Sequence, residues 1–200
     1  LYLSAQGQSF TANSALCSGW TSSEVLQSRW GSDYAANMQR LQSLAARTGQ
    51  AVLLYNGQPA AACYHAISSG HTEASQNVWG GQLPYLCGVD SAWDKFADGY
   101  EVTIQYSAEQ VRTALEELGL TPDDSPESWV GASTWDKAGY VRTLELCGQM
   151  VSGLEVRKAL DLRSTCFAIA WRGGQFVITT RGYGHGVGLS QYGAKAMAEG

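Results

Sequence analysis

Two hundred residues suffice for one sizeable domain or two small ones. With 13 basic against 18 acidic side chains the net charge is −5, and only 16% of residues are charged, which excludes the concentrated basic footprint of a nucleic-acid binder. Apolar residues reach 44% without any run near the ~20 that span a membrane, while 23 Gly, 7 Trp and 10 Tyr indicate a loop-rich protein with aromatic surfaces.

Residues 1–31 show little periodicity and are expected to be irregular or a packed strand fragment. The chain opens without a basic, apolar leader and stops inside a helical pattern, so both ends are expected to be truncations. Ser32 is expected to cap a helix to about Arg47, with Tyr34, Met38, Leu41 and Ala45 on one face and Gly49 as its stop. Residues 51–55 read as a strand, and Asn56-Gly57 as a tight turn into a returning strand over 60–65. Residues 68–94 have no steady period; a loop of this length carrying Trp79, Tyr85 and Trp93 is expected to be ordered and functional. A strand over about 100–106 precedes a helix opened by the capping box Ser107/Gln110 and ended by Gly119, with Val111, Leu115 and Leu118 on one face. Strands follow over 129–135 and 140–147, then a short helix opened by Ser152/Glu155 and running to about 160. A hairpin over Gly173-Gly174 joins strands 166–171 and 176–181, and 190–199 reads as the last helix. This order predicts an α+β fold of mixed helices and antiparallel hairpins around an open substrate cleft, with residues of about 107–165 forming a small inserted subdomain.

The five cysteines are Cys17, Cys63, Cys87, Cys147 and Cys166. None forms a C-x-x-C pair, and an odd number leaves at least one thiol unpaired. Cys147 and Cys166 sit in apolar runs and read as small buried hydrophobes. A Cys17–Cys87 disulfide and the use of Cys63 stay open. Cys63 stands two residues before His65, on the same strand face, but nothing nearby lowers a thiol pKa. There is no G-x-S-x-G elbow for a serine hydrolase.

The sharpest motif is RGYGHGVGLSQYGA over 181–194. Glycine at 182, 184, 186 and 188 would bare one face of an extended backbone, while Tyr183, His185, Val187 and Leu189 project from the other. Ser190, Gln191 and Tyr192 follow at a helix start, where free amides favour a carbonyl or anion. The spacing is not that of a nucleotide loop. The second motif, over 64–73, brings His65, Ser68, Ser69, Gly70, His71 and Thr72 into the long loop. Such groups hydrogen-bond sugar hydroxyls and acetamido groups, and Trp79 or Tyr85 can stack on a pyranose ring.

Together, AVLLYNGQPAAACYHAISSGHTEASQNVWGGQLPYLCGVDSAWD at 51–94, SGLEVRKALDLRSTCF at 152–167 and RGYGHGVGLSQYGAKAMAEG at 181–200 resemble the stage II sporulation protein D family. The resemblance implies an extracytoplasmic cell-wall protein, a lytic transglycosylase cleaving peptide-free peptidoglycan strands to 1,6-anhydro-N-acetylmuramic acid ends. It also implies partnership with an amidase and a membrane-anchored protein. Related proteins described as amidase enhancers imply an alternative, a non-catalytic peptidoglycan-binding module. In lytic transglycosylase chemistry one carboxyl serves twice, as acid to the leaving oxygen and as base to the 6-hydroxyl that closes the anhydro ring. The family's catalytic glutamate belongs upstream of the matched region; Glu24, the only acid in 1–31, has the wrong context, so the catalytic acid of this chain is unassigned. Glu73, Asp90 and Asp94 are expected to be solvated or hydrogen-bonded rather than replacement acids. Some members hold zinc in the segment matching 13–19; here only Cys17 remains as a ligand type, and no metal or other cofactor is expected. The expected substrate-binding set is His65, Ser68, Ser69, Gly70, His71, Thr72, Trp79, Tyr183, His185, Ser190, Gln191 and Tyr192, from two remote stretches facing each other across the cleft.

Overall fold

The structure, a computed structural model, describes residues 21–48 and 51–200. Two compact units divide at residues 61 and 62.

In the first unit, α1 (Ser23–Trp30) begins at Ser22, whose side chain accepts the Val25 amide. This corrects the irregular structure expected before residue 32. Gly31 turns left-handed at φ 50 and a 3-10 turn, Gly31–Asp33, leads into α2 (Tyr34–Arg47). Ser32 therefore lies inside the turn instead of capping the helix, and Gly49 falls outside the described residues. The Asn-Gly hairpin forms: β1 (Leu54–Tyr55) pairs antiparallel with β2 (Gln58–Pro59), with Asn56 and Gly57 at φ 50 and 76 as a two-residue turn requires. The return is shorter than predicted. Pro59 has no N–H to continue the ladder, and residues 64 and 65 pair elsewhere.

In the second unit, β4 (Glu101–Tyr106) and β8 (Phe167–Arg172) flank β9 (Gln175–Arg181) in an antiparallel sheet. Alternation along β9 buries Phe176, Ile178 and Thr180. A second antiparallel sheet comprises β5 (Val130–Trp135), β6 (Val141–Leu146) and β7 (Gln149–Ser152). β7 escapes the sequence reading because its hairpin turns on Cys147-Gly148, both at positive φ, and cysteine carries no turn signal.

Both predicted capping boxes are present, at the starts of α4 (Ala108–Glu117) and α5 (Gly153–Ala159); the five-residue α3 (Ser75–Trp79) interrupts the long loop before them. α4 buries Val111, Ala114 and Leu115 against a cluster including Trp129, Leu144, Val156, Phe176 and Ile178. Trp129 stacks on Phe176 at 5.7 Å between centroids, and its indole N–H donates to Asp123 at 2.9 Å. Substituting Ser107→Ala removes the acceptor for the Gln110 amide and is expected to cost about 1 kcal/mol. A urea midpoint unchanged by the substitution would contradict that role.

Parallel β3 (Tyr64–His65) and β10 (Leu189–Ser190) join the two motif stretches, and α6 (Gln191–Glu199) follows directly. The fold is α+β with antiparallel sheets. No described helix is long and apolar enough to cross a membrane.

Candidate functional site

The glycine motif does not run straight. Gly182, Gly184, Gly186 and Gly188 take φ values of 77, 117, 78 and 78, a left-handed conformation that side chains with a Cβ avoid. Each glycine breaks the alternation of an extended chain. Val187 is consequently buried while Tyr183 and Leu189 are exposed and His185 is half-buried, so the four side chains do not share one face as expected.

The winding backbone meets the other stretch directly. Ala66 and Ile67 amides donate to the Tyr183 carbonyl, each at 3.1 Å, and the Tyr183 amide returns a bond to Ile67 at 2.7 Å. Glu73 N–H donates to Gly186 at 2.7 Å, Leu189 N–H to Cys63 at 3.0 Å and Tyr192 N–H to Ala66 at 3.2 Å. A Cβ at Gly188 would strike the Cys63 carbonyl. Residues 65–73 and 183–192 thus come together, as expected. The open cleft expected between them is not seen; their backbones pair in its place.

One residue organises two imidazoles through its two backbone groups. The Val187 carbonyl accepts from His65 Nδ1 at 3.2 Å, and the Val187 amide donates to His185 Nδ1 at 3.0 Å. His65 therefore carries its proton on Nδ1, leaving Nε2 bare, buried and without a partner among the described residues. Burial, opposed by the Val187 bond and the charge of Asp94, holds the His65 pKa below its ordinary value. His185 is lowered first by burial and then by the charges of His65 and Arg157. The rings lie 5.8 Å apart, and Trp79, at the end of α3 and half exposed, stands 5.0 Å from His185 on a tilted plane.

Asp94 is wholly buried beneath this surface. It accepts the Ser68 amide at 2.9 Å, the Ser68 hydroxyl, and the Ser190 hydroxyl at 2.7 Å. Ser190 in turn caps α6 through the Gly193 amide. Ser69 is fixed equally firmly: its hydroxyl donates to Ala138 at 2.8 Å, its amide to Tyr140 Oη at 3.2 Å, and its carbonyl accepts from Tyr100 at 2.8 Å. Burial pushes the Tyr140 phenol up to about 12.

Glu73 is the second buried anchor. Its carboxylate accepts from the Ala74 amide and Asn77 side chain, each at 2.7 Å, and from Arg142 Nη2 at 2.8 Å. The same Arg142 nitrogen stands 2.6 Å from Asp136 Oδ2, a charge contact rather than an aligned hydrogen bond. Burial, then the neighbouring Asp136 carboxyl, raises the Glu73 pKa.

Of the predicted set, His65, Ser68, Ser69, Thr72 and Ser190 are buried, and the three serine hydroxyls and Thr72 Oγ1 bond to protein groups. Gly70 and His71 are half-buried, and His71 Nε2 lies 3.9 Å from the exposed Asp90. Trp79, Tyr183, Gln191 and Tyr192 reach the surface, with His185 beside Trp79. Tyr192 lines a depression of about 410 Å³ with Trp93, Phe96 and Lys195. Glu73 and Asp94 bond to protein donors, whereas Asp90 is exposed. Cys63, Cys87, Cys147 and Cys166 are free thiols, and burial pushes Cys166 up to about 11. Among the described residues no group of three or more His, Cys, Asp or Glu is placed to hold a metal; Cys17 and the segment 13–19 lie outside them.

No model of a protein family matches the chain. It is 37% identical over 181 residues to stage II sporulation protein D of Bacillus amyloliquefaciens and 35% identical over 181 residues to that of Bacillus subtilis, in each case across 90% of this chain. The chain belongs to the stage II sporulation protein D family. It spans about half the length of these relatives, 51% of each. An amidase enhancer of Bacillus subtilis is 26% identical over 201 residues, across 74% of this chain and 28% of its own length.

In this family member three arginines that hold the structure around these stretches lay unread in the sequence: Arg142, Arg157 and Arg163. Arg157 and Arg163 fall inside the 152–167 stretch that carried the resemblance, but charge in a helix and the turn after it has no period to betray a shared destination. The Arg163 guanidinium sits 4.3 Å from the Tyr183 ring centroid.

Proposed function

We propose that this chain is the glycan-binding bulk of a peptidoglycan lytic transglycosylase, acting outside the cytoplasm on strands stripped of their peptides. The observation that carries the reading is the exposure of Trp79 and Tyr183, with His185 beside Trp79, next to the paired stretches 65–73 and 183–192. Membership of the stage II sporulation protein D family supports a sporulation and cell-wall role. The aromatic faces suit the apolar faces of pyranose rings, while the exposed Gln191 offers an amide to hydroxyl and acetamido substituents. The buried residues His65, Ser68, Ser69, Thr72 and Ser190 then act from beneath. They fix the loops that present the surface rather than touching sugar, and Gly70 and His71 complete the same loop.

In the reaction a carboxyl must protonate the leaving oxygen and then accept the muramoyl 6-hydroxyl proton. Glu73 and Asp94 are poor candidates, because each is already bound by several protein donors. That observation, with the likeness to an amidase enhancer, favours a second reading: a non-catalytic wall-binding module that assists an amidase.

Incubation of the full-length protein, including any segment upstream of residue 1, with purified stem-free glycan strands, followed by mass spectrometry, separates the two. Anhydromuramic ends support the enzyme, whereas retention on the strands without product supports the module. Failure to bind at all would remove both. Under either reading Trp79→Ala weakens strand binding about tenfold through loss of ring contact, with little change in thermal stability because Trp79 is half exposed. Unchanged affinity would take Trp79 off the binding surface.

A further inference from the structure

Two histidines make opposite demands on one residue. His65 gives its Nδ1 proton to the Val187 carbonyl at 3.2 Å, and His185 Nδ1 takes the Val187 amide proton at 3.0 Å. Val187 is wholly buried, so water cannot replace either partner. In both rings the next proton arrives at an atom that cannot house it. On His185 that atom is Nδ1, already the acceptor for Val187; a proton there sets two donors against each other and breaks the bond. On His65 it is Nε2, buried and without an acceptor among the described residues. The ring centroids stand 5.8 Å apart, so charge on one opposes charge on the other.

The groups around the rings do little to offset such a charge. Asp94 favours a charged His65, but its oxygens are already taken by Ser68 and Ser190. Arg157, from α5, disfavours a charged His185, while hydrogen bonding to the Tyr64 backbone favours it. Glu73 lies beside Gly186 with its carboxylate bound to Ala74, Asn77 and Arg142. The Tyr140 phenol flanks the same glycine, Cys63 flanks Gly188, and Arg163 meets Gly184 through its carbonyl and Tyr183 through its guanidinium. Burial is the largest influence on both imidazoles and holds each below the ordinary histidine value of about 6.5.

We propose that His65, Val187 and His185 form an acid-opened latch, in which protonation of the imidazoles parts residues 183–189 from residues 63–67. Trp79 stands 5.0 Å from His185, so opening also withdraws support from the exposed aromatic surface. A histidine whose folded pKa is lowered contributes stability that is present above its unfolded pKa and is lost as pH falls through the folded one. Glu73, with its raised pKa, acts in the opposite sense, so histidine variants are needed to isolate the latch.

The test is amide hydrogen exchange on the full chain by NMR from about pH 8 to about pH 5, with imidazole nitrogen shifts recorded on the same samples. After correction for the intrinsic pH dependence of exchange, protection of the Val187 and Leu189 amides is expected to fall about tenfold as His185 Nδ1 gains its proton, the weight of one buried hydrogen bond. His65→Asn combined with His185→Asn keeps a donor and an acceptor at the Nδ1 positions without a titrating ring, and should remove most of that fall. Protection that stays level in the parent, that falls where neither ring changes state, or that falls equally in the folded double variant overturns the proposal. The parent alone shows ring titration and protection together, which decides the matter even where the double variant does not fold. No sugar enters the measurement, so its outcome is independent of the glycan reading.

Discussion

Replacing Asp94 by alanine is expected to lower the unfolding free energy by about 3–4 kcal/mol, and the melting temperature by roughly 10 °C. Asp94 has no solvent contact, and its carboxylate answers three donors, the Ser68 amide and the hydroxyls of Ser68 and Ser190. Alanine leaves the Ser68 amide buried without an acceptor, at about 1–3 kcal/mol, and removes the charge-assisted bonds besides. Ser190 recovers part of the loss by turning its hydroxyl to the Ala66 carbonyl, 3.3 Å away. Ser68→Ala or Ser190→Ala alone should cost less, about 1 kcal/mol each, because the carboxylate keeps its remaining donors. Chemical denaturation monitored by tryptophan fluorescence measures these values. A loss below 1 kcal/mol for Asp94→Ala would show that the residue does not tie residues 65–73 to the start of α6.

Removing Arg142 should cost about 3 kcal/mol near neutral pH, and its signature lies in the pH dependence. Arg142→Ala leaves Glu73 and Asp136 as neighbouring carboxyls with no cation between them, their side chains only 5% and 17% exposed. Glu73 already sits above the ordinary carboxylate range, through burial first and Asp136 second. A carboxyl whose folded pKa is raised contributes stability below its unfolded pKa and loses that contribution as pH rises through the folded value. Stability should therefore fall as pH climbs from the ordinary glutamate range through the raised value, and fall further in Arg142→Ala, where like-charge repulsion is unrelieved. Adding Glu73→Gln to that variant removes the titrating group and should flatten this fall. A pH–stability curve for Arg142→Ala parallel to that of the parent would exclude the coupling.

Local patterns in the chain were legible where a short-range mechanism operates. Ser107/Gln110 and Ser152/Glu155 announce helix starts because both bonds of a capping box join residues three apart. Asn56-Gly57 announces a hairpin because both residues accept positive φ, while Cys147-Gly148 adopts the same geometry without a recognisable signal. The glycine motif marked the right segment for a conformational reason that alternation misread. Its glycines serve left-handed turns and close backbone approach, as at Gly188 against Cys63, rather than a bare strand face.

The site divides along the same line. Which residue types gather near the motifs could be read along the chain, since histidine, serine and tryptophan cluster within 64–79 and again histidine, tyrosine and serine within 183–192. Their roles could not, because burial is decided by what packs above them. Ser68 and Ser190 look like sugar-binding hydroxyls until Asp94, 26 positions from one and 96 from the other, claims both. His65 and Trp79 differ little as candidates until one is sealed under Val187 and the other stands in solvent. Hydrogen-bond partners at such separations are set by tertiary packing, in which leaving a buried polar group unpaired is costly, as His65 Nε2 alone among these candidates is left, and that constraint separated the buried, bonded residues from those at the surface.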